Sequence, residues 1–317
     1  MATADRTSIG LTVALVALLA GMMFLPQWLV SLLALSLARG LVVLGIVLQM
    51  RAGLVSFGQG LYYCLGGYTA AMFASHYGVR EVAVLLVAVV VVSAVVAFVL
   101  GLLLSRYREI FFAMLSMAFS MILYGLLVKS PGLGSTDGFS LPAVTFFGWA
   151  PAAQQTGVYI LSCVVAYLIA LLYHRYQQSP AGYLAGAIRE NEIRVEYLGR
   201  SAQRLLHAKY VLASVISAVG GLVAALATGH VDPEMAYWTT SGEFVFIAIL
   251  GGTGHVAAPF VASTLFSLVR TYAYQFFPYT WQMILGLVLL LIIVFLPRGL
   301  WSLVQRRSTE VPRAADR

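Results

Sequence analysis

Charge is scarce in this sequence. Asp, Glu, Lys and Arg make up 10% of 317 residues, 61% are hydrophobic, and mean hydropathy is +0.91. So few polar groups cannot cover the surface of a water-soluble domain, so lipid must be the main solvent. Cysteine is nearly absent: Cys64 and Cys163 stand alone in apolar segments. That excludes a disulfide framework or a cysteine metal site and leaves both as buried packing residues. The chain contains no Gly-Lys pair, so it lacks the phosphate loop an ATPase needs. His76, His174, His207, His230 and His255 are scattered without metal-ligand spacing, and no G-x-S-x-G elbow occurs. "GTGHVA" at 252–257 imitates a dinucleotide fingerprint, but it lies between apolar segments, with no strand before it and no acidic residue at ribose distance.

Long apolar runs are what the chain has instead. A helix needs about 20 residues to cross a hydrocarbon layer roughly 30 Å thick. Nine clear runs occur, at 9–25, 30–50, 59–76, 82–104, 110–128, 158–174, 208–228, 257–277 and 281–297, with a short tenth at 242–250. Pro26 and Arg39 permit a second division of residues 9–50. "AVLLVAVVVVSAVVAFVLGLLL" is apolar on every face, whereas strands of a membrane barrel would alternate. The expected fold is therefore an all-α membrane protein of about ten spanning or partly spanning helices. Arg6 precedes the first run, but no small-x-small cleavage site follows closely, so this run is expected to remain as a helix.

Basic residues orient the bundle. With ten crossings and both termini cytoplasmic, fifteen of the nineteen Lys and Arg residues face inward, while Asp137, Asp232 and Glu234 fall outside. The sequence pI near 9.5 is then explained by loops against an anionic leaflet, with no nucleic acid implied. Arg39 and Arg270 lie in apolar segments and are expected to snorkel to an interface.

One stretch breaks the apolar pattern. "AIRENEIRVEYLG", residues 187–199, gathers Arg189, Glu190, Glu192, Arg194 and Glu196. Two helical turns over 183–190, an Asn191 cap and a second helix over 192–198 closed by Gly199 are expected, with Glu190–Arg194 and Glu196–Arg200 at i,i+4 spacing. Helices this short and polar need something to hold them. Composition also admits a solvated loop. Glycines mark two more places. Gly53, Gly58, Gly60, Gly66 and Gly67 surround the start of the third run, and Gly251, Gly252 and Gly254 end the short one. Small residues favour close helix packing, but irregular backbone at membrane depth also marks a solute path, and these glycines are expected to be path-lining breaks.

"SPAGYLAGAIRENEIRVEYLG" resembles the cytoplasmic loop of the branched-chain amino acid ABC transporter permeases. Further stretches match that family in order: "AGLVSFGQGLYYCLGGYTAAMF" (52–73), "FFAMLSMAFSMIL" (111–123) with "GLGSTDGFSLP" (132–142), "AILGGTGHVAAPFVAS" (248–263) and "FLPRGLWSL" (295–303). The resemblance spans about residues 40–303. It implies a permease subunit of an ATP-driven importer in a prokaryotic inner membrane, carrying branched-chain or other small amino acids. The implied partners are a second permease, two ATP-binding subunits that hold ATP and Mg, an extracytoplasmic solute-binding protein and membrane lipid. The expected organisation is one polytopic domain over 1–307, a coupling loop near 176–206, and a cytoplasmic tail, 308–317. By resemblance, Ala187, Arg189, Glu190, Asn191, Glu192, Glu196 and Gly199 form the ATPase-coupling loop. The chain has Ile46 and Val47 where the family carries polar residues, which leaves urea, short amides or small organic acids as alternative solutes. An ion-coupled secondary transporter would want carboxylates inside the spans, and Glu109, Asp137 and Glu243 all lie near segment edges.

Overall fold

In the computed structural model, residues 5–146, 148, 154–295 and 299–302 are described. The expected tail and the C-terminal arginines from Arg298 onward lie outside them. The elements run α1 (Arg6–Gly21), α2 (Gln27–Met50), α3 (Gln59–His76), α4 (Val82–Leu104), α5 (Glu109–Lys129), β1 (Phe139–Ser140), α6 (Gln154–Gln177), α7 (Pro180–Glu190), α8 (Glu192–Tyr197), α9 (Ala202–Thr228), β2 (His230–Val231), α10 (Trp238–Gly251), α11 (Ala258–Phe276) and α12 (Trp281–Phe295). The fold is all-α. Helices α2, α4, α5, α6 and α9 are long and apolar enough to cross a membrane, so this is a multi-pass membrane protein. The other five apolar runs also form helices, but shorter or more polar ones. Pro26 settles the division of residues 9–50: its extended backbone (φ −65°, ψ 151°) caps α2, and Arg39 falls near the middle of that helix.

Helices α2 and α9 form the centre. A Cβ on Gly45 of α2 would stand 2.7 Å from the Ala213 carbonyl, and one on Gly220 of α9 would stand 2.7 Å from the Ala38 carbonyl. The two backbones therefore touch where side chains are missing, the usual basis of helix contact when lipid is as apolar as the interface. Helix α4 does the opposite. Val87, Val91, Val95 and Phe98 all face outward, as its all-round apolar sequence allows.

The loops gather at two ends. At one, β1 pairs antiparallel with β2, Phe139 opposite Val231, and Thr145 donates to the Glu81 carboxylate at 2.9 Å. At the other lie the α2–α3 loop, the α4–α5 loop, α7, α8 and the α10–α11 loop. Asp5 caps α1 there, and its carboxylate meets His174 of α6 and Gln178 just beyond it. Up-and-down threading of ten helices yields this separation.

Candidate coupling surface and translocation path

The charged island folds as two short helices because its residues start and stop them. The Ser179 hydroxyl accepts from the Gly182 N–H at 3.3 Å, and Pro180 sits in the first turn, where its missing N–H leaves nothing unpaired. Asn191 takes an extended backbone (φ −160°, ψ 105°) that ends α7, and its Oδ1 accepts from the Arg194 N–H at 3.2 Å to start α8. Gly199 closes the pair with φ +76°. The two expected i,i+4 ion pairs do not form among the described residues. The extended Asn191 takes Glu190 and Arg194 off a common helix, and the turn at Leu198–Gly199 does the same for Glu196 and Arg200.

Tertiary contacts hold the island. Ala185, Ile188 and Val195 are buried in one apolar cluster with Ala52 and Leu54 of the α2–α3 loop, Leu104, Phe112 and Leu206. Glu192 faces its own chain: Arg108 of the α4–α5 loop donates to both carboxylate oxygens, at 3.0 and 2.6 Å. Hydrogen bonding to this guanidinium holds the Glu192 carboxyl below its ordinary value. A depressed carboxylate contributes stability above its unfolded pKa and loses it as pH falls through the folded one. On acidification below the usual carboxylate range, the wild type should therefore lose more thermal stability than Glu192→Gln, measured by unfolding of the detergent-solubilised protein. Parallel curves would show that the pair contributes nothing.

The outer face of the island is mixed. Arg189, Glu190, Asn191 and Glu196 are exposed and Ala187 is half-buried. Between them stand Tyr183, Ile193, Tyr197 (87% exposed) and Leu198 (75%). Sequence reasoning singled out the charges and missed these apolar groups. The signal was there, since Ile193 and Tyr197 have i,i+4 spacing on a helix whose buried side is Val195. Large apolar groups amid charges are the composition of a protein contact more than of a solvated loop.

Both glycine breaks reach this same end. Gly53, at φ +81°, brings the α2–α3 loop against α7, and a Cβ there would lie 3.5 Å from Arg189 Cγ. Arg51 donates from Nε and Nη2 to the Thr253 carbonyl of the α10–α11 loop, at 2.9 and 2.5 Å. Leu300 N–H donates to the Leu250 carbonyl at 2.8 Å, and Trp301 stacks on His255 at 4.2 Å between centroids. Burial first, then the neighbouring His174 and Arg51, push the His255 imidazole below its ordinary value in that stack.

The breaks differ in kind. Gly58 caps α3, and a Cβ on it would stand 2.7 Å from the Ser116 carbonyl of α5. Gly60 N–H donates to Ser241 Oγ of α10 at 3.0 Å. Gly251 ends α10 with its Cα facing the Ala258 carbonyl, Gly252 follows at φ +78°, and Gly254 lies in the loop beyond. Gly66 and Gly67 are corrected: they lie inside the continuous helix α3 and break nothing. A Cβ on Gly66 would collide with the Ala218 carbonyl of α9, and one on Gly67 would press on Val231, so both are packing glycines. Gln49 and Gln59 flank the first break. Both are fully buried, and their amides have no hydrogen-bond partner among the described residues.

Arg39 and Arg270 do not snorkel as expected. Arg39 is twelve residues from the start of α2, about 18 Å by helical rise, and Arg270 Nη1 donates to Glu243 Oε2 at 2.9 Å. Glu243, expected at an edge, turns toward the bundle because Arg270 is there to meet it.

Known proteins agree with this architecture. Residues 28–294 match the family described as branched-chain amino acid transport system, permease component. The chain is similar to the high-affinity branched-chain amino acid transport system permease proteins LivM of Salmonella typhimurium and Escherichia coli K12. Identities are 27% and 26% over 286 residues, covering 82% of this chain and 67% of each relative. A probable branched-chain amino acid transport permease protein LivM of Methanocaldococcus jannaschii is 24% identical over 237 residues, covering 68% of both chains. No solved structure matches. A multi-pass helical bundle that matches over this length belongs to the branched-chain amino acid transport permease family.

Proposed function

We propose that this chain is the permease subunit of an ATP-driven importer, moving branched-chain or other small amino acids across a prokaryotic cytoplasmic membrane. One observation carries the reading: the island touches the first helix break directly and is linked through it to the second. Arg189 lies on Gly53, Arg51 holds Thr253, and Arg108 holds Glu192. Movement of the island therefore reaches the two irregular segments together. On this reading the island end is cytoplasmic, both termini lie there, and residues 1–307 act as one polytopic domain with a tail at 308–317.

The ATP and Mg belong to two partner ATPase subunits beneath the island. A second permease completes the path, and an extracytoplasmic binding protein delivers solute at the β1–β2 end. Ala187, Arg189, Glu190, Asn191, Glu196 and Gly199 serve the docking face, whereas Glu192 fixes it to the permease body. The buried amides of Gln49 and Gln59 support a path beside the first break, because an unmade buried hydrogen bond costs about 1–3 kcal/mol unless water or solute supplies it.

Glu243, inside the bundle, is the one observation that favours an ion-coupled transporter working alone. The same experiment decides between the two. Uptake by the reconstituted complex is expected to require ATP hydrolysis and to survive collapse of proton and sodium gradients. Gradient-driven accumulation by the purified single chain would overturn the importer reading.

A further inference from the structure

A chamber of about 630 Å³ lies between α1 and the helices behind it, α2, α6 and α11. Polar clips hold α1 against α6. The Asp5 carboxylate meets His174, the Thr12 and Tyr167 hydroxyls are hydrogen-bonded at 3.1 Å, and Tyr159 Oη donates to the Leu18 carbonyl at 3.0 Å. On its other side, Leu11, Leu15 and Leu18 of α1 face Phe260 and Leu268 of α11 across the chamber.

The space is apolar and open on one side. Its hydroxyls are already bonded, Tyr167 to Thr12 at 3.1 Å and Thr264 to the Phe260 carbonyl at 2.9 Å, so water or a polar solute gains no partner there. Ala14 and Ala17 of α1 and Val261 of α11 are exposed at its edge, so its mouth faces the hydrocarbon around the bundle. Along α11 the lining runs from Ala257 to Leu268, about 16 Å by helical rise, close to half of a hydrocarbon layer roughly 30 Å thick. At the island end it gives way to polar groups. His174 follows Ala170 by one turn and is held by Asp5, and His255 precedes Ala257 by two residues and stacks on Trp301. An apolar slot one leaflet deep with a polar rim fits an amphiphile. The chain's own tail does not fit it: residues 303–317 carry Arg306, Arg307, Glu310, Arg313, Asp316 and Arg317.

We propose that this chamber binds one acyl chain of a membrane phospholipid from the leaflet on the island side, with the headgroup at the His174–His255 rim. Phe260 lines the chamber and also presses on α2 where Gly40 leaves room, since a Cβ there would be 2.6 Å from Phe260 Cδ1. The bound chain thus supports the start of α11 just after the second glycine break. The site is built with α1, which precedes the family-matched residues 28–294. The inference stands on the membrane fold alone, whatever the solute or the energy source.

The test places the full-length protein, with the subunits that co-purify with it, in vesicles of phosphatidylethanolamine and phosphatidylglycerol. A fraction of the phospholipid carries a photoreactive diazirine partway along one acyl chain. After irradiation, labelling of peptides from α1 and α11 is expected to exceed that of the lipid-facing α4 several-fold. Ala14→Phe combined with Val261→Phe should fill the mouth and bring that labelling down to the α4 level, with protein yield and α4 labelling unchanged. Ala166→Leu, which fills the chamber from α6, should do the same. Labelling of α1 and α11 in the wild type no higher than that of α4 would make the chamber ordinary lipid-facing surface and overturn the site. So would labelling that survives both filled variants. Labelling found in the chain purified alone but lost in the assembled complex would give this face to a partner subunit's helix, and overturn it too.

Discussion

Valine at Gly252 is expected to abolish uptake while the complex still assembles. Gly252 has φ 78° and ψ 168°, a region that only glycine populates readily, and forcing another residue there costs about 1–3 kcal/mol. A β-branched side chain adds stiffness at the one point where α10 must stop and the chain must turn toward α11. There is little room to relax, because Gly299 lies against the Gly252 backbone, where a Cβ would be 2.6 Å from the Gly252 nitrogen. Gly58→Val should act similarly by another route. Its added carbon meets the α5 backbone at Ser116, so even Ala at Gly58 must shift a helix, and partial loss is expected there as well. Gly66→Val is the contrasting case. It opposes the close approach of α3 and α9, so complex yield should fall together with transport. Yield and ATP-dependent uptake measured on the same preparations separate the two classes. Full uptake in both Gly252→Val and Gly58→Val would remove the breaks from the mechanism.

The contrast between Gly58 and Gly66 shows where the sequence stops being informative. Apolar runs of helical length fix which segments become helices, because hydrocarbon tolerates no unpaired backbone, and each of the ten runs carries a helix among the described residues. The Asn191 and Gly199 caps were equally legible, since they act on neighbours within four residues, whereas the Ser179 cap that starts α7 at Pro180, ahead of the expected turn at 183, was not read. A glycine's purpose is different, as it depends on what lies opposite. Gly66 meets α9, 152 positions away in the chain, and nothing local to "LGGY" reveals it. The ion pairs failed for the same reason. Spacing favoured Glu190 with Arg194, but the Asn191 cap broke the helix between them, and Glu192 found Arg108 across 84 residues. Arg270 was misplaced because hydropathy cannot tell a helix face turned to lipid from one turned to Glu243.

Leu198→Asp combined with Tyr197→Ala is expected to uncouple the transporter, with uptake falling about tenfold or more and the ATPase subunits lost on co-purification, while membrane insertion is unchanged. These two side chains are 75% and 87% exposed and touch nothing that α8 needs to fold, because Val195 supplies its buried contact. Burying a large apolar side chain is worth about 1.5–3 kcal/mol, so removing two from one contact costs an affinity of tenfold or more. An aspartate in their place adds a desolvation penalty. Charge variants should be milder. Arg189→Ala and Glu196→Ala remove exposed groups whose ion pairs are worth about 1 kcal/mol or less, so each should weaken coupling without abolishing it. Glu192→Ala should disturb the island from behind by releasing Arg108, loosening its attachment to the α4–α5 loop. If the double variant imports normally and retains its ATPase subunits, the exposed apolar residues are incidental and coupling passes through the charges alone. If Glu192→Ala alone imports normally as well, the apolar contacts of Ala185, Ile188 and Val195 suffice to hold the island, and the Arg108 pair has no part in transmitting its movement.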